Sequence, residues 1–254
     1  MSDVAQSVKP QVPAEERLDL SEKGAVLDGK PQTLNKRLYM QLLVFDGCRD
    51  SAPVVEKLKS WNQPAVLYAD FHRNDGLALL TMSENPDFFV QDLRKLLAEP
   101  PFDKLCRRDD MTMAGRSYST GREQNLEDWM LAKPRRNALN SAWAWAIWYP
   151  LRRKPEFELL TPQEQGKILQ EHAVLGMTYG RFGYAADIRL ACHGMDPHDN
   201  EFVLGILGAD LYPLSRLIQE MRKTQQTARF IQSLGPFFVG KVLWQFDGKA
   251  NASR

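Results

Sequence analysis

Two residues near the middle of the chain, Tyr149 and His172, are of types that could take part in chemistry. His172 lies in a run of helical periodicity, where it shares an apolar stripe with Ile168 and Leu175. A histidine in such a stripe is most often a core residue that is hydrogen-bonded to a neighbour, but a neutral imidazole can also bind a metal through one ring nitrogen. Tyr149 ends an aromatic run, and a strand tyrosine most often packs its ring in the core. The residue types alone leave both alternatives open.

The helix that carries His172 has a clear start in the sequence. Thr161 can cap it, Pro162 suits its first position, and Glu164 lies three residues after the cap. This spacing is a capping box, in which the threonine hydroxyl and the glutamate carboxylate bind each other's backbone N–H groups. The sequence therefore predicts a helix from Pro162, with the His172 side chain pointing inward.

The elements around this helix repeat in two halves of the chain. The order strand, helix, strand, strand, helix occurs once from Leu38 and again from Trp143, and a last strand follows in FFVGKVLWQF. We therefore predict an α+β fold of tandem ferredoxin-like (βαββα) halves with antiparallel sheets, of the dimeric α+β barrel type. The predicted division is a flexible, polar arm over residues 1–35, a structural first half over 36–135 and a second half over 136–254 that holds the functional residues.

Composition excludes several classes of partner. Of the 254 residues, 43% are hydrophobic and 26% are charged, and the net charge of +1 provides no basic surface for nucleic acid. We find no apolar run of transmembrane length and no signal peptide, and therefore expect a cytoplasmic protein without membrane insertion. Cys48, Cys106 and Cys192 are far apart and odd in number, so neither a disulfide framework nor a zinc site is expected.

An ordered set of motifs resembles a known family. The segments are WYPLRRKPEFELLTPQEQGKILQEH, GMDPHDNEFVL, LIQEMRKTQQTARF and GPFFVG, and the matching region runs from about Trp143 to Gly240. They resemble the chlorite-dismutase-like superfamily, in particular its coproheme decarboxylase branch, in which iron coproporphyrin III is converted to haem b. The resemblance implies a porphyrin ligand with haem-type iron, and a homo-oligomer that is commonly a pentamer.

The resemblance also implies roles for the two central residues. His172 matches the family's proximal histidine, which binds the iron and whose other ring nitrogen the family would pair with an acidic residue. Tyr149 matches the tyrosine that this branch uses as a radical relay, whereas members that dismutate chlorite have an aliphatic residue there. The implied reaction is a peroxide-dependent oxidative decarboxylation of two propionates through a tyrosyl radical, with hydrogen peroxide as the oxidant.

Further residues match groups that bind the propionates of the substrate. Arg153 takes the place of a lysine in the family's YPxxK pattern, and Arg222 matches a propionate-binding arginine. The resemblance gives a similar role to Arg135 or to its neighbour Arg136, and Tyr118 resembles a tyrosine that donates a hydrogen bond to a propionate.

The sequence departs from the family on the opposite, distal side of the porphyrin. Asp187 stands where dismutating members have arginine and many decarboxylases have glutamine, and Arg189 follows two residues later on the same strand face. Asp187 could act as the distal base, Arg189 could take the dismutase role in a shifted register, or both could be ordinary strand residues. Two other functions therefore stay open: a haem b enzyme of the same fold, either chlorite-dismutating or peroxidase-like, and a non-catalytic ferredoxin-like oligomer.

Overall fold

A computed structural model of the chain describes residues 18–248, which fold into an antiparallel sheet covered by helices. The strands are β1 (Glu22–Leu27), β2 (Lys30–Leu34), β3 (Tyr39–Asp46), β4 (Ala65–Asp70), β5 (Leu77–Ser83), β6 (Cys106–Arg107), β7 (Met113–Arg116), β8 (Trp145–Arg153), β9 (Ala186–Ala191), β10 (Phe202–Gly208), β11 (Ile231–Leu234) and β12 (Phe238–Phe246). The α-helices are α1 (Ala52–Trp61), α2 (Asp87–Val90), α3 (Asp92–Leu97), α4 (Lys133–Ala138), α5 (Pro162–Arg181), α6 (Leu211–Met221) and α7 (Gln225–Phe230). Short 3-10 turns cover Phe102–Lys104, Asp109–Met111 and Pro155–Phe157, and a π-helical turn covers Asp128–Ala132.

The strand order confirms the predicted fold of two ferredoxin-like halves. In the first half the sheet order is β7-β3-β5-β4, and in the second half it is β12-β8-β10-β9. Each half therefore places its first strand between its third and fourth strands, and all of these pairs are antiparallel. Helices α1 and α5 follow the first strand of their respective halves, so they occupy corresponding places.

The two sheets join edge to edge within one chain. β4 pairs with β12, β7 meets β9 where Arg116 lies opposite Ala191, and β8 pairs with β10, which closes the ring of strands. The enclosed core contains side chains from both halves, including Tyr68, Trp148 and Phe238. Gly205 faces Trp148 across the β8–β10 pair, and a Cβ atom at this position would come within 2.6 Å of the indole ring, so glycine is required there.

The N-terminal part of the described chain differs from the loosely packed arm that composition suggested. Residues 1–17 lie outside the described residues, but β1 and β2 form a hairpin. This hairpin is tied to the segment before the π-helical turn, because the backbone N–H of Ala25 donates to the Glu123 carbonyl and the Gln32 amide donates to the same oxygen. Tertiary hydrogen bonds therefore order a segment whose polar sequence shows little strand periodicity.

Two boundaries also differ in detail from the predictions. Helix α4 spans the proposed division between residues 135 and 136, and the single helix predicted at the end of the first βαββα unit is broken into α2 and α3 at Gln91. The start of α5 is confirmed, since the Thr161 hydroxyl accepts from the Glu164 N–H and the Glu164 carboxylate accepts from the Thr161 N–H. Among residues 18–248, no helix is long and apolar enough to cross a membrane.

Candidate functional site

Three of the predicted site residues of the second half lie on one face of its sheet. Tyr149 on β8 is opposite Leu204 on β10, and Leu204 is in turn opposite Arg189 on β9. Asp187 belongs to the next row of the same face, where it is opposite Ile206. Directly opposite residues of antiparallel strands project to the same side. Tyr149, Asp187 and Arg189 therefore share the face that α5 and α6 cover.

Tyr149 is buried on this face, with its ring centroid 4.8 Å from that of Phe237. Among the described residues, its hydroxyl has no hydrogen-bond partner. Burial raises the pKa of the phenol well above its ordinary value, and the negative charge of Asp187 adds to this rise while the positive charge of Arg222 opposes it. Tyr149 is therefore a protonated phenol throughout the physiological pH range.

His172 lies on α5 and is half-buried. Its Nδ1 atom is 3.3 Å from the Thr224 hydroxyl, which lies just before α7. Burial lowers the pKa of the imidazole to about 4, and the positive charge of Arg189 contributes to the shift. The ring is therefore neutral near pH 7, which is the form that a metal ligand requires.

Asp187 and Arg189 form the charged centre of this face. The Arg189 Nε atom is 2.8 Å from a carboxylate oxygen of Asp187, and both side chains are partly exposed. The pair influences the pKa values of His172, Tyr118 and Lys133, and Asp187 also influences that of Tyr149. These groups therefore lie near enough for their charges to interact, although they come from four elements, α4, α5, β8 and β9, and from the segment after β7.

Trp129 and Lys133 also belong to this site, although they were not among the residues predicted from the sequence. The Lys133 ammonium lies 4.1 Å from the centroid of the Trp129 ring, and the Arg189 guanidinium lies 5.0 Å from it. The π-helical turn that carries Trp129 leads directly into α4. Burial lowers the pKa of Lys133. The available signal was the four-residue spacing between a tryptophan and a lysine, which brings the two side chains together on one helical face.

Tyr118 borders the same charged centre. A narrow cavity here is lined by Ser117, Tyr118, Trp129, Lys133, Pro134, Asp187, Ile188 and Arg189. Burial raises the pKa of the Tyr118 phenol, and the positive charges of Arg189 and Arg153 oppose that rise. Its hydroxyl is a protonated donor beside two cations, which is a suitable arrangement for a carboxylate ligand.

Arg153 lies at the end of β8 and is already engaged by protein groups. Its guanidinium is 2.9 Å from Glu158 and 3.1 Å from Glu201, and it packs against the rings of Phe157 and Phe202. The side chain is 15% exposed. A ligand carboxylate at this position would therefore compete with two carboxylates of the protein.

The other arginines are arranged differently. Arg222 follows α6 and is exposed, and neither its side chain nor that of Arg135 has an ion-pair partner among residues 18–248. Arg136 instead holds Asp128 at 2.9 Å on the surface. Of the two neighbouring arginines in α4, Arg135 is thus the one whose guanidinium is available to a ligand.

The residues around His172 fit a metal that brings its own ligands. Within the described part of the chain, no group of three or more histidine, cysteine, aspartate or glutamate side chains could hold a metal ion. A bare ion would therefore find a single imidazole, whereas the iron of a porphyrin needs only one axial ligand from the protein. The neutral ring, the buried phenol and the nearby cations agree with the donor set that an acidic porphyrin requires.

The chain matches one protein family and is similar in fold to solved structures. Residues 84–243 match the family model described as chlorite dismutase. A heme-binding protein from Thermus thermophilus superimposes with a TM-score of 0.66 at 20% identity, covering 84% of this chain and 93% of that one. A chlorite dismutase from Candidatus Nitrospira defluvii superimposes with a TM-score of 0.60 at 15% identity, covering 81% and 90% of the two chains. At these identities the likeness is one of fold, and no curated protein sequence matches the chain.

Proposed function

The chain belongs to the chlorite dismutase family, and from that premise we propose that it is a coproheme decarboxylase. Its substrate would be iron coproporphyrin III, its oxidant hydrogen peroxide and its product haem b. The observation that carries this proposal is Tyr149, a buried and protonated phenol on the sheet face that α5 and its His172 cover. The dismutation of chlorite does not require a redox-active phenol at this position. The removal of a hydrogen atom from an unactivated carbon does require one.

Three kinds of protein group would divide the work. His172 would bind the iron through a ring nitrogen, because its low pKa keeps the imidazole neutral. Arg222, Arg135 and Tyr118 would hold propionates, since their donors are not engaged by protein carboxylates. Arg153, which is paired with Glu158 and Glu201, would hold a propionate only by exchanging one of these partners.

The bound iron porphyrin and hydrogen peroxide would together supply the oxidising power that no side chain has alone. Tyr149 would lose its phenolic hydrogen atom and then take one from the β-carbon of a propionate. The propionate then loses one further electron and carbon dioxide, which leaves a vinyl group. Each turnover converts one protonated propionate and one hydrogen peroxide into a vinyl group, carbon dioxide and two water molecules, and two propionates react to give haem b.

Asp187 and Arg189 are the groups best placed to handle peroxide on this face. Their ion pair lies one strand beyond Leu204, which separates Arg189 from Tyr149. Asp187 would accept a proton from peroxide, and the Arg189 charge would stabilise the anion. Trp129 would keep the guanidinium in place through its ring.

The test is to load the purified full-length chain with iron coproporphyrin III, add hydrogen peroxide in small steps, and follow porphyrin masses by chromatography. We expect an intermediate with three propionates and then haem b. The Tyr149→Phe variant should bind coproheme but return it unconverted, while Tyr39→Phe, a control in the first half, should react like the wild type. Conversion by Tyr149→Phe at the wild-type rate would exclude the radical role.

Ligation by His172 is tested separately by spectroscopy. His172→Ala should lose the absorption bands of a histidine-ligated iron porphyrin, whereas His198→Ala, which changes an exposed histidine, should keep them. If the wild type binds neither haem b nor coproheme, a non-catalytic ferredoxin-like protein becomes the better description.

A second candidate function is a haem b enzyme that acts on chlorite or peroxide. Arg189 favours it, because its guanidinium lies on the same sheet face as Asp187, the position where the resemblance places an arginine in chlorite-dismutating members. Wild-type protein loaded with haem b should then release oxygen from chlorite, and Arg189→Gln should abolish the release. Oxygen release together with unreacted coproheme would favour this alternative over the decarboxylase.

We also propose that the chain assembles with further copies of itself. Near the end of α5, a cavity of about 420 Å³ is lined by Thr178, Tyr179, Phe182, Tyr184, Tyr212, Pro213 and Arg216. Phe182, Tyr184 and Tyr212 are more than half exposed, which makes this apolar surface a candidate for burial between subunits. Light scattering that reports a monomer at micromolar concentration would contradict this proposal.

A further inference from the structure

The only side chain within hydrogen-bonding distance of the His172 imidazole among the described residues is that of Thr224. The Nδ1 atom and the Thr224 hydroxyl oxygen are 3.3 Å apart, and Thr224 is 5% exposed. The resemblance implied an acidic partner at this place. The nearby carboxylates are otherwise engaged, since Glu171 accepts from the backbone N–H of Gln225 and Asp187 pairs with Arg189.

The neighbouring backbone determines the direction of this hydrogen bond. The Thr224 hydroxyl is 2.8 Å from the carbonyl oxygen of Met221, which can only accept. The Thr227 hydroxyl is farther away, at 3.4 Å, so the single proton of Thr224 goes to the nearer Met221 carbonyl and leaves the Thr224 oxygen as an acceptor toward His172. The proton between the two side chains must then belong to Nδ1 of the imidazole, and the lone pair of the neutral ring lies on Nε2.

The Thr224 segment is held firmly enough to orient the ring. The backbone N–H of Thr224 also donates to Met221, and its carbonyl accepts from Ala228, so the residue is fixed between α6 and α7. Next to it, the Gln225 N–H donates to the Glu171 carboxylate at 3.0 Å. Two adjacent residues of α5 are thus bound to two adjacent residues of this segment, which fixes both the helix and the His172 ring.

We propose that Thr224 is the positioning residue for His172: its hydroxyl holds the imidazole as the Nδ1–H tautomer and thereby presents Nε2 as the iron ligand. This inference rests on the proposed function for the identity of the ligand, but the tautomer itself is a property of the protein without porphyrin. A neutral hydroxyl draws less on the Nδ1 proton than a carboxylate does, so the histidine remains a neutral imidazole and a weaker electron donor to the iron.

The first test uses the protein without porphyrin. Proton–nitrogen correlation spectra of protein labelled with ¹⁵N-histidine distinguish the two neutral tautomers, and the His172→Gln spectrum identifies the His172 signals. We expect Nδ1–H in the wild type and in Thr224→Ser, which keeps the hydroxyl. Thr224→Val has nearly the same shape without the hydroxyl, and it should show a mixture of tautomers or Nε2–H.

Thr178→Val is the matched control, because the Thr178 hydroxyl donates to the Val174 carbonyl on the same helix without contacting His172. Its His172 spectrum should be that of the wild type. An Nε2–H signal in the wild type, or an unchanged Nδ1–H signal in Thr224→Val, would overturn the proposal.

The second test uses the protein loaded with ferrous haem b. Thr224→Val should lower the iron–histidine stretching frequency in resonance Raman spectra and weaken haem binding by about 10- to 100-fold, the range expected when a partner of a metal-binding histidine is lost. Thr224→Ser should restore both values. A wild-type protein that binds no haem but shows the expected tautomers would refute the proposed function and leave the role of Thr224 toward His172 standing.

Discussion

In each half of the chain, three neighbouring strands each place one residue in a row that faces the helices. The side chains of the two rows are very different. In the first half the row is Leu43, Leu79 and Leu67, and each of these leucines is at most 2% exposed. In the second half the corresponding row is Tyr149, Leu204 and Arg189, whose arginine side chain is 38% exposed. One topology is thus used once for packing and once to hold polar groups.

The helices above these rows differ in the same way. α1 buries Val54 and Leu58 against the leucine row, and α3 adds Leu93 and Leu96 to the same cluster. α5 is twice as long, yet Ile168 is its only buried residue. A helix that buries so little of itself gains little stability from the sheet. The first half is therefore stabilised by its own core, whereas α5 of the second half is held by partly buried residues such as Leu175 and Tyr179 and by the contact of His172 with Thr224.

The comparison is tested most strongly by removing the central leucine of each row. Leu79→Ala leaves a cavity in a fully packed cluster and should lower the free energy of unfolding by about 2–5 kcal/mol. Leu204→Ala removes a partly buried side chain, and its cost should be about 1–2 kcal/mol. Urea unfolding of both variants measures the difference. Equal losses would mean that the second half is packed as tightly as the first.

Much of the fold could be predicted from the sequence because it rests on local patterns. Alternating and helical periodicity located the elements of the two βαββα repeats and the last strand, β12, and the capping box at Thr161 gave the start of α5. The β1–β2 hairpin was missed because its order comes from hydrogen bonds to residues about ninety positions away, which no local pattern records. The break of the helix at Gln91 was also missed. Phe88, Leu93 and Leu96, which lie on both sides of the break, pack into one hydrophobic cluster.

The candidate site could be predicted only in part. Motifs led to His172 and Tyr149, and the structure places Tyr149 on the sheet face that the helix of His172 covers, while their roles stay a prediction. Thr224 and Lys133 were not found, because their importance depends on which helices meet rather than on their neighbours in sequence. The two carboxylates that hold Arg153 were not anticipated either: Glu158 is close in sequence, but Glu201 reaches it only through the β8–β10 register.

A change of pH should affect the second half through His172. The imidazole has a pKa of about 4 in the folded chain, where burial disfavours its charged form, and about 6.5 when it is unfolded. Between these values the unfolded chain binds more protons, so stability should fall as the pH is lowered from about 6.5 to about 4 and should change no further through this group below that. One pKa unit corresponds to about 1.4 kcal/mol, and partial exposure of the ring keeps the total loss below about 3 kcal/mol.

The His172→Gln variant isolates this contribution. Its free energy of unfolding between pH 7 and pH 5 should decline less than that of the wild type, since glutamine does not titrate. Urea unfolding of the two proteins at both pH values measures the difference. Parallel declines would show that His172 has an ordinary pKa, and hence that its side of α5 is open to water.

The smallest expected effect on stability concerns the polar residue that most distinguishes the two rows. Arg189→Met removes an ion pair between partly exposed side chains, so we expect the free energy of unfolding to change by less than about 1 kcal/mol. The charge should nevertheless matter to its neighbours. Arg189 helps to keep the pKa of His172 low and opposes the rise in the pKa of Tyr118, so both pKa values should increase in the variant. Asp187, left without its partner, would act in the same direction.

Titration of His172 by nuclear magnetic resonance measures this effect, with Lys167→Met as a control. Lys167 is an exposed cation on α5 itself, and its charge does not contribute to the shift at His172. A rise in the His172 pKa toward 6.5 in Arg189→Met, but not in Lys167→Met, would establish that the sheet face and α5 form one electrostatic site. If neither variant changed the titration, the low pKa would come from burial alone, and the polar row of the second half would differ from the leucine row in composition without acting on the helix above it.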